Sequence, residues 1–154
     1  MREFTHSLVI KAPPAAILDA FFDAEALGVW WGASRAVCTP RPLGSYAIEW
    51  PATSWRDDVL GPLGGSLHGT VMEFRPGQEF FVADLYWMPP EGDPIGPMSL
   101  EATCSQDGDD VLLRLCQSGH DAGSERWSRY YDVVVANWLV TLEALRRYLE
   151  TRWA

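Results

Sequence analysis

Three histidines, His6, His68 and His120, and three cysteines, Cys38, Cys104 and Cys116, are the side chains of this sequence best suited to proton transfer, nucleophilic attack or metal ligation. Their spacing argues against each of those uses. The histidines stand far apart, no Cys-x-x-Cys pair occurs, and no metal site, catalytic residue or cofactor is expected from them. No Ser-His-Asp order, glycine-rich phosphate loop or supported carboxylate dyad appears, which weighs against a hydrolase or a nucleotide enzyme. Glu49 lies between Ile48 and Trp50, and Asp84 opposes the apolar face of its strand, so alternation turns both outward.

His68 is the polar residue with the most to offer, and its orientation depends on a turn. If Arg75 pairs with Gln78 across Pro76-Gly77, then His68, Thr70, Met72 and Phe74 share a face with Phe81, Ala83, Leu85 and Trp87. His68 then points inward beside Leu85, where it could orient a ligand or act as acid or base near neutral pH. A Pro-Gly turn prefers type II geometry, which suits a two-residue hairpin poorly. A slip of one residue turns His68 outward, to the rim or to solvent. His120 follows the last strand, at the expected mouth of any cavity or on loop surface.

Eight tryptophans are many for 154 residues. Trp50, Trp87, Trp127, Tyr131 and Trp138 fall on faces read as inward. Such rings either fill a core or wall a concave apolar site. At this length one domain, residues 1–154, is expected, and 47% hydrophobic with 21% charged residues fits an ordinary globular chain. The net charge of −9, from 12 basic and 21 acidic residues, would repel a polyanion, so neither nucleic acid nor an anionic membrane is expected as a partner. No apolar run approaches the roughly 20 residues of a membrane span. Met1–Phe4 opens without the long apolar stretch of a secretory signal, so a cytoplasmic location is expected. The odd cysteine count there reads as reduced, buried thiols.

The elements that must position these residues follow from periodicity. Thr5–Lys11 alternates as a first strand, Pro13–Phe22 reads as a short helix opened by proline, and Asp23 caps a second one through Trp31. Gly44–Trp50 alternates, presenting Tyr46, Ile48 and Trp50 together, and 51–66 reads as a long loop. Leu67–Phe74 and Phe80–Trp87 form a hairpin, and 88–97 a second loop. Ser99–Ser105 and Val111–Ser118 make the last hairpin. A turn at Asp107-Gly108 pairs Gln106 with Asp109, sets Glu101 opposite Arg114, and puts Leu100, Ala102 and Cys104 on one face with Val111, Leu113, Leu115 and Gln117. Cys104 and Cys116 then occupy opposite faces, which excludes a disulfide. Trp127, Tyr131, Val134, Trp138, Leu142, Leu145 and Leu149 step by three or four along one long amphipathic helix.

Several stretches carry a resemblance: Ala12-Pro13-Pro14, Trp30-Trp31-Gly32, Leu43-Gly44-Ser45-Tyr46, Gly69-Thr70-Val71, Gln117-Ser118-Gly119 and the helix Trp138…Leu142…Leu145…Tyr148-Leu149. Together they resemble the START-like (SRPBCC) superfamily and, within it, the family named after activators of the heat-shock ATPase. His120, where that family usually has an aromatic, and Asn137, where it commonly has glycine, depart from the pattern. The resemblance implies an α+β helix-grip fold like that of the birch-pollen allergen: a curved antiparallel sheet around a long C-terminal helix, with two short helices after the first strand. It also implies an apolar cavity between sheet and helix, and it carries over no catalytic residue.

Three functions compete. The first is binding of a small hydrophobic or amphipathic molecule, with Trp31, Tyr46, Trp50, His68 and Leu85 as candidate ligand contacts from the early elements. Trp87, Trp127, Tyr131 and Trp138 complete that set. The second is an enzyme resembling the superfamily's polyketide cyclases, with His68 as acid or base. The third is a co-chaperone-like protein acting through its surface, with a filled core and an exposed apolar patch. The aromatic excess also suits a homodimer, for which the sequence names no face.

Overall fold

A computed structural model describes residues 2–120 and 123–153, except the side chain of His120, so the expectation for that side chain lies outside the described residues. Strand β1 (Arg2–Ile10) leads to α1 (Pro14–Asp19), where Pro14 occupies the first helical turn and loses no hydrogen bond by lacking an N–H. Helix α2 (Ala24–Trp30) begins where expected: Asp23 accepts the Ala26 N–H at 3.1 Å as an N-cap. Then come β2 (Arg35–Cys38), β3 (Ser45–Trp50), the two-residue strands β4 (Arg56–Asp57) and β5 (Gly61–Pro62), β6 (Gly65–Arg75) and β7 (Glu79–Met88). Strands β8 (Ile95–Asp107) and β9 (Asp110–His120) precede helix α3 (Glu125–Trp153).

Seven strands form one antiparallel sheet in the order β1-β9-β8-β7-β6-β3-β2, and α3 lies across it, in contact with β1, β9 and α2. Strand β2 lies where the sequence pattern predicts no strand. It is an edge strand that pairs with β3 alone and exposes Arg35 and Val37, so its alternation carries little apolar signal. The expected loop 51–66 contains the β4–β5 hairpin, and β8 begins within the expected loop 88–97.

The β8–β9 hairpin keeps its predicted faces with a different register. Asp107 pairs with Asp110, so the turn residues are Gly108 and Asp109, with Gly108 in the left-handed region at φ 63°. A shift of two preserves the side-chain parity. Leu100, Ala102, Val111, Leu113, Leu115 and Gln117 are all buried, and Cys104 and Cys116 remain on opposite faces. The predicted Glu101–Arg114 pairing is corrected: Glu101 faces Cys116, and Arg114 faces Thr103.

The β6–β7 hairpin changes parity, and with it the place of His68. Arg75 pairs with Glu79 rather than Gln78, which gives a three-residue turn with Gly77 at φ 71°. The core side of β7 therefore begins with Phe80 and Val82, not with Phe81 and Ala83. Two irregularities follow, one at Met72 and one where Asp84 takes φ 50°. After Asp84 the alternation resets, and Leu85 and Trp87 point inward as expected. On β6 the inward residues are Leu67 and Val71, while His68 and Met72 are exposed.

Candidate functional site

Between α3, the sheet and the loop from β3 to β6 lies a cavity of about 340 Å³. Its sheet side is built from Leu67 on β6, Leu85 and Trp87 on β7, Leu100 on β8 and Gln117 on β9. Helix α3 contributes Tyr130, Val133, Val134, Asn137, Trp138 and Thr141, which recur every three or four residues and so share one face. Trp31 follows α2, Trp50 ends β3, and the loop beyond it adds Thr53, Leu60, Leu63 and Gly64. Thr53 and Asn137 are both exposed, which puts the mouth between the loop and the middle of α3.

The tryptophans here are wall panels with fixed edges. Trp50 donates its indole N–H to the Trp31 carbonyl at 2.9 Å, Trp87 to the Gly64 carbonyl at 2.8 Å, and Trp138 to Oε1 of Gln117 at 2.8 Å. Each bond ties the ring to a different element and fixes its tilt. The rings also pack on one another. Trp31 stacks on Trp30 at 5.3 Å between centroids and meets Trp138 at 4.8 Å, while Trp87 stacks on Tyr130 at 5.2 Å.

Gln117 is the polar centre of this wall. It is 3% exposed, accepts from Trp138, donates Nε2 to Sδ of Met98 at 3.4 Å, and hydrogen-bonds the Tyr130 hydroxyl. Burial pushes that phenol far above its ordinary value, with the Gln117 bond acting in the opposite sense, so Tyr130 stays protonated at any physiological pH. The lining residues include no Asp, Glu, Lys, Arg, His or Cys among those described. Burial drives the Cys38 and Cys104 thiols up to about 11, which leaves them poor nucleophiles. Among the described residues no group of three or more His, Cys, Asp or Glu could hold a metal ion.

The roof is tied down by a separate polar cluster. Oδ2 of Asp57 accepts the N–H groups of Val59 and Leu60, both at 3.0 Å, and Oδ1 accepts Nε of Arg129 on α3 at 2.7 Å. The Arg129 hydrogen bond is the main reason the Asp57 carboxyl falls to about 2. Leu60, held by that turn, is 3% exposed and closes the apolar wall.

Five of the nine candidate contacts lie on the cavity: Trp31, Trp50, Leu85, Trp87 and Trp138. The other four stand elsewhere. Tyr46 is fully buried between Phe22 and Phe80, in the filled part of the core. His68 is exposed on the opposite face of the sheet, bonded to Ser66 at 3.1 Å in a shallow depression with Arg35 and Glu49. Trp127 packs against the core without reaching the cavity. Tyr131 turns to β1, where its hydroxyl donates to the Glu3 carbonyl at 3.0 Å and its ring lies 3.8 Å beneath the Arg2 guanidinium. Its neighbour Tyr130 takes the cavity position, one residue earlier than the stripe implied. Gln117, which the strand pattern turns inward, is the functional residue the candidate set lacks, and its signal is that of a lone polar residue on an otherwise apolar strand face.

No family model matches the chain, and no curated protein matches it in sequence. Solved structures do. Protein MLL2253 from Mesorhizobium loti superposes with a TM-score of 0.74 at 19% identity, over 97% of this chain and 98% of that one. The Aha1 dimer from Colwellia psychrerythraea gives 0.70 at 18% identity, over 97% of each chain. CalU16 from Micromonospora echinospora gives 0.65 at 16% identity, over 96% of this chain and 76% of that one. At such identities the likeness is one of fold alone.

The chain has the helix-grip fold. In helix-grip terms the grip is incomplete: α3 presses on the sheet through Leu142, Leu145 and Leu149, while its first half spans the open space. No helix among the described residues is long and apolar enough to cross a membrane.

Proposed function

We propose that this protein binds a small hydrophobic or amphipathic molecule in the cavity between sheet and C-terminal helix. The observation that carries this reading is the wall itself. Four indoles, a phenol and a ring of leucines and valines surround about 340 Å³, near the lower end of the roughly 300–1,000 Å³ usual for ligand sites. Apolar transfer from water would supply the affinity, and Thr53, Asn137 and Thr141 would meet a polar end at the mouth. The cyclase-like alternative needed His68 inside, and His68 faces the other way.

The test is titration with N-phenyl-1-naphthylamine, a neutral probe that fluoresces in apolar surroundings, with native mass spectra of gently purified protein beside it. Saturable one-to-one binding, weakened in a folded Trp50→Ala variant, supports the site. A folded protein that neither binds the probe nor carries an extra mass overturns it.

The homodimer remains part of the proposal on a separate observation. Leu139 and Val140 are 59% and 71% exposed on the outer side of α3, and a structure of similar fold is an Aha1 dimer. Light scattering that gives a monomer mass at high concentration removes it. The three unpaired thiols suit a reducing compartment, so the cytoplasm is the proposed location.

A further inference from the structure

The chemistry of the cavity wall narrows what it can hold. Among its described lining residues there is neither a formal charge nor a group that titrates near neutral pH, and its innermost polar side chain, Gln117, is engaged by Trp138, Met98 and Tyr130. A carboxylate or ammonium drawn inside would lose its water and find no counter-charge, a cost that apolar contacts do not offset. Aromatic walls could in principle favour a cation. Here Trp31 has one face covered by Trp30 and Trp87 one covered by Tyr130, so each offers at most a single face, and no carboxylate stands among the described lining residues to complete a cation site. The net charge of −9 would draw cations to the surface and repel anions, but it does not place a counter-charge inside.

Shape narrows it further. An apolar cavity of about 150 Å³ accommodates one benzene ring. A volume near 340 Å³ is a little over twice that, and its walls are flat, rigid rings held by backbone bonds. Rigid flat walls favour a rigid flat guest, because a flexible chain loses rotamer freedom on entry and packs less well against them. At the mouth, exposed Asn137 and half-buried Thr141 offer both donor and acceptor to a hydroxyl or carbonyl.

We propose that the cavity selects an uncharged compound of about two fused rings, bearing a hydroxyl or carbonyl directed at Asn137 and Thr141. This selectivity rests on the binding function proposed above.

Calorimetric titration with a matched set tests it: 2-naphthalenemethanol, 2-naphthoate, 2-naphthylmethylammonium and decan-1-ol, all at pH 7 and moderate salt. The ring alcohol is expected to bind about tenfold or more tighter than either ion, and tighter than decanol. Rejection of both ions separates the uncharged wall from the long-range field, which would reject only the anion. An ion that binds as tightly as the ring alcohol overturns the charge selectivity, and decanol that matches it overturns the ring selectivity, while the binding function stands in both cases. Failure of all four compounds in a protein that still binds N-phenyl-1-naphthylamine overturns the selectivity and leaves the binding function standing, whereas loss of that probe as well overturns both. An Asn137→Lys variant, at an exposed helix position where folding is secure, places a cation at the mouth. It is expected to raise naphthoate affinity relative to the alcohol by about fivefold. An unchanged ratio in that folded variant puts the naphthoate outside the cavity and overturns the assignment.

Discussion

The two ends of the space beneath the sheet are both aromatic, and only one of them is full. At the α1–α2 end Phe22 meets Tyr46, Phe74 and Phe80 edge to face and Phe21 lies tilted on Phe80, all with centroids 5.0–5.2 Å apart, and Phe21, Tyr46 and Phe80 are fully buried. At the other end Trp31, Trp50, Trp87 and Trp138 surround about 340 Å³. Ring size is not the cause, since indole is the larger group. One difference is where the polar handle reaches: Trp30 donates its indole N–H to the nearby Ala20 carbonyl at 2.9 Å and stays packed on Phe21, whereas the cavity indoles are tied to more distant partners. Phenyl rings have no directional bond and slide until they touch. Three of these indoles are held by N–H bonds to Trp31, Gly64 and Gln117, so they stand where the backbone puts them. Tyr46 has a handle that is not used: its hydroxyl is buried without a partner, and the ring is packed as a phenylalanine would be.

The sharpest way to break this comparison is to truncate one ring from each end. Phe80 is fully buried and touches Phe21, Phe22 and Tyr46, so Phe80→Ala should cost about 3–5 kcal/mol of folding stability by urea denaturation. Probe affinity in its folded fraction should stay near that of the parent. Trp50 is half-buried, and Trp50→Ala should cost only about 1–2 kcal/mol for a partly buried ring and one hydrogen bond. It should weaken the probe about tenfold. Equal stability losses, or a probe that ignores Trp50, would mean that the two ends do not differ in kind.

Gln117 tests whether the handles hold the cavity open. Gln117→Leu keeps the volume but removes the acceptor of the Trp138 N–H and a partner of the Tyr130 hydroxyl, at a cost of about 1–3 kcal/mol for the buried indole N–H. Near-ultraviolet circular dichroism should weaken as the indole loses its fixed tilt. A variant as stable as the parent with an unchanged spectrum would show that packing alone positions the wall.

How much of this was legible in the sequence follows the same division. The lower stripe of α3, from Trp138 through Leu149, was readable because one apolar face persists over several turns against the sheet. It failed at Tyr130 and Tyr131, where two adjacent rings have the same hydropathy and only the contact with β1 decides which turns inward. The β8–β9 faces survived a register error because the shift was even. The β6–β7 faces did not, because the turn holds three residues rather than two, an odd shift, and bulges at Met72 and Asp84 interrupt the alternation within each strand without either residue announcing one. Whether a tryptophan fills or walls depends on which carbonyl lies within its reach. Trp87 finds Gly64, 23 positions away, and no local pattern encodes that.

The roof separates the two ends dynamically. Asp57 ties the loop over the open end to α3 through Arg129. Asp57→Asn should keep the turn acceptor for Val59 and Leu60 and lose the ion pair. Probe dissociation in stopped flow should quicken by up to about fivefold, since such pairs are worth no more than about 1 kcal/mol. The acid limb carries the sign. The Asp57 carboxyl is lowered from 3.8 to about 2, so its contribution is complete above about pH 4 and is lost as pH falls through 2. The stability gap between parent and variant should therefore be constant from pH 7 to 5 and close below pH 4. A gap that widens in acid would assign the strap to other groups.

The smallest effect is expected at His68, and its smallness is informative. The ring is exposed and hydrogen-bonded to Ser66, two residues away on the same strand. His68→Ala should change stability by no more than about 0.5 kcal/mol. A histidine inside the cavity would titrate against a bound ligand, so probe affinity would vary between pH 5.5 and 8 and the variant would flatten that profile. With His68 on the outer face, parent and variant should give superimposable, flat profiles across that range. The lining itself offers no other group that titrates there, because Tyr130 stays protonated and the remaining polar side chains are amides and hydroxyls. A pH-dependent affinity removed by His68→Ala would place the histidine in contact with the ligand after all. The empty end of the grip would then become a site with a proton to give.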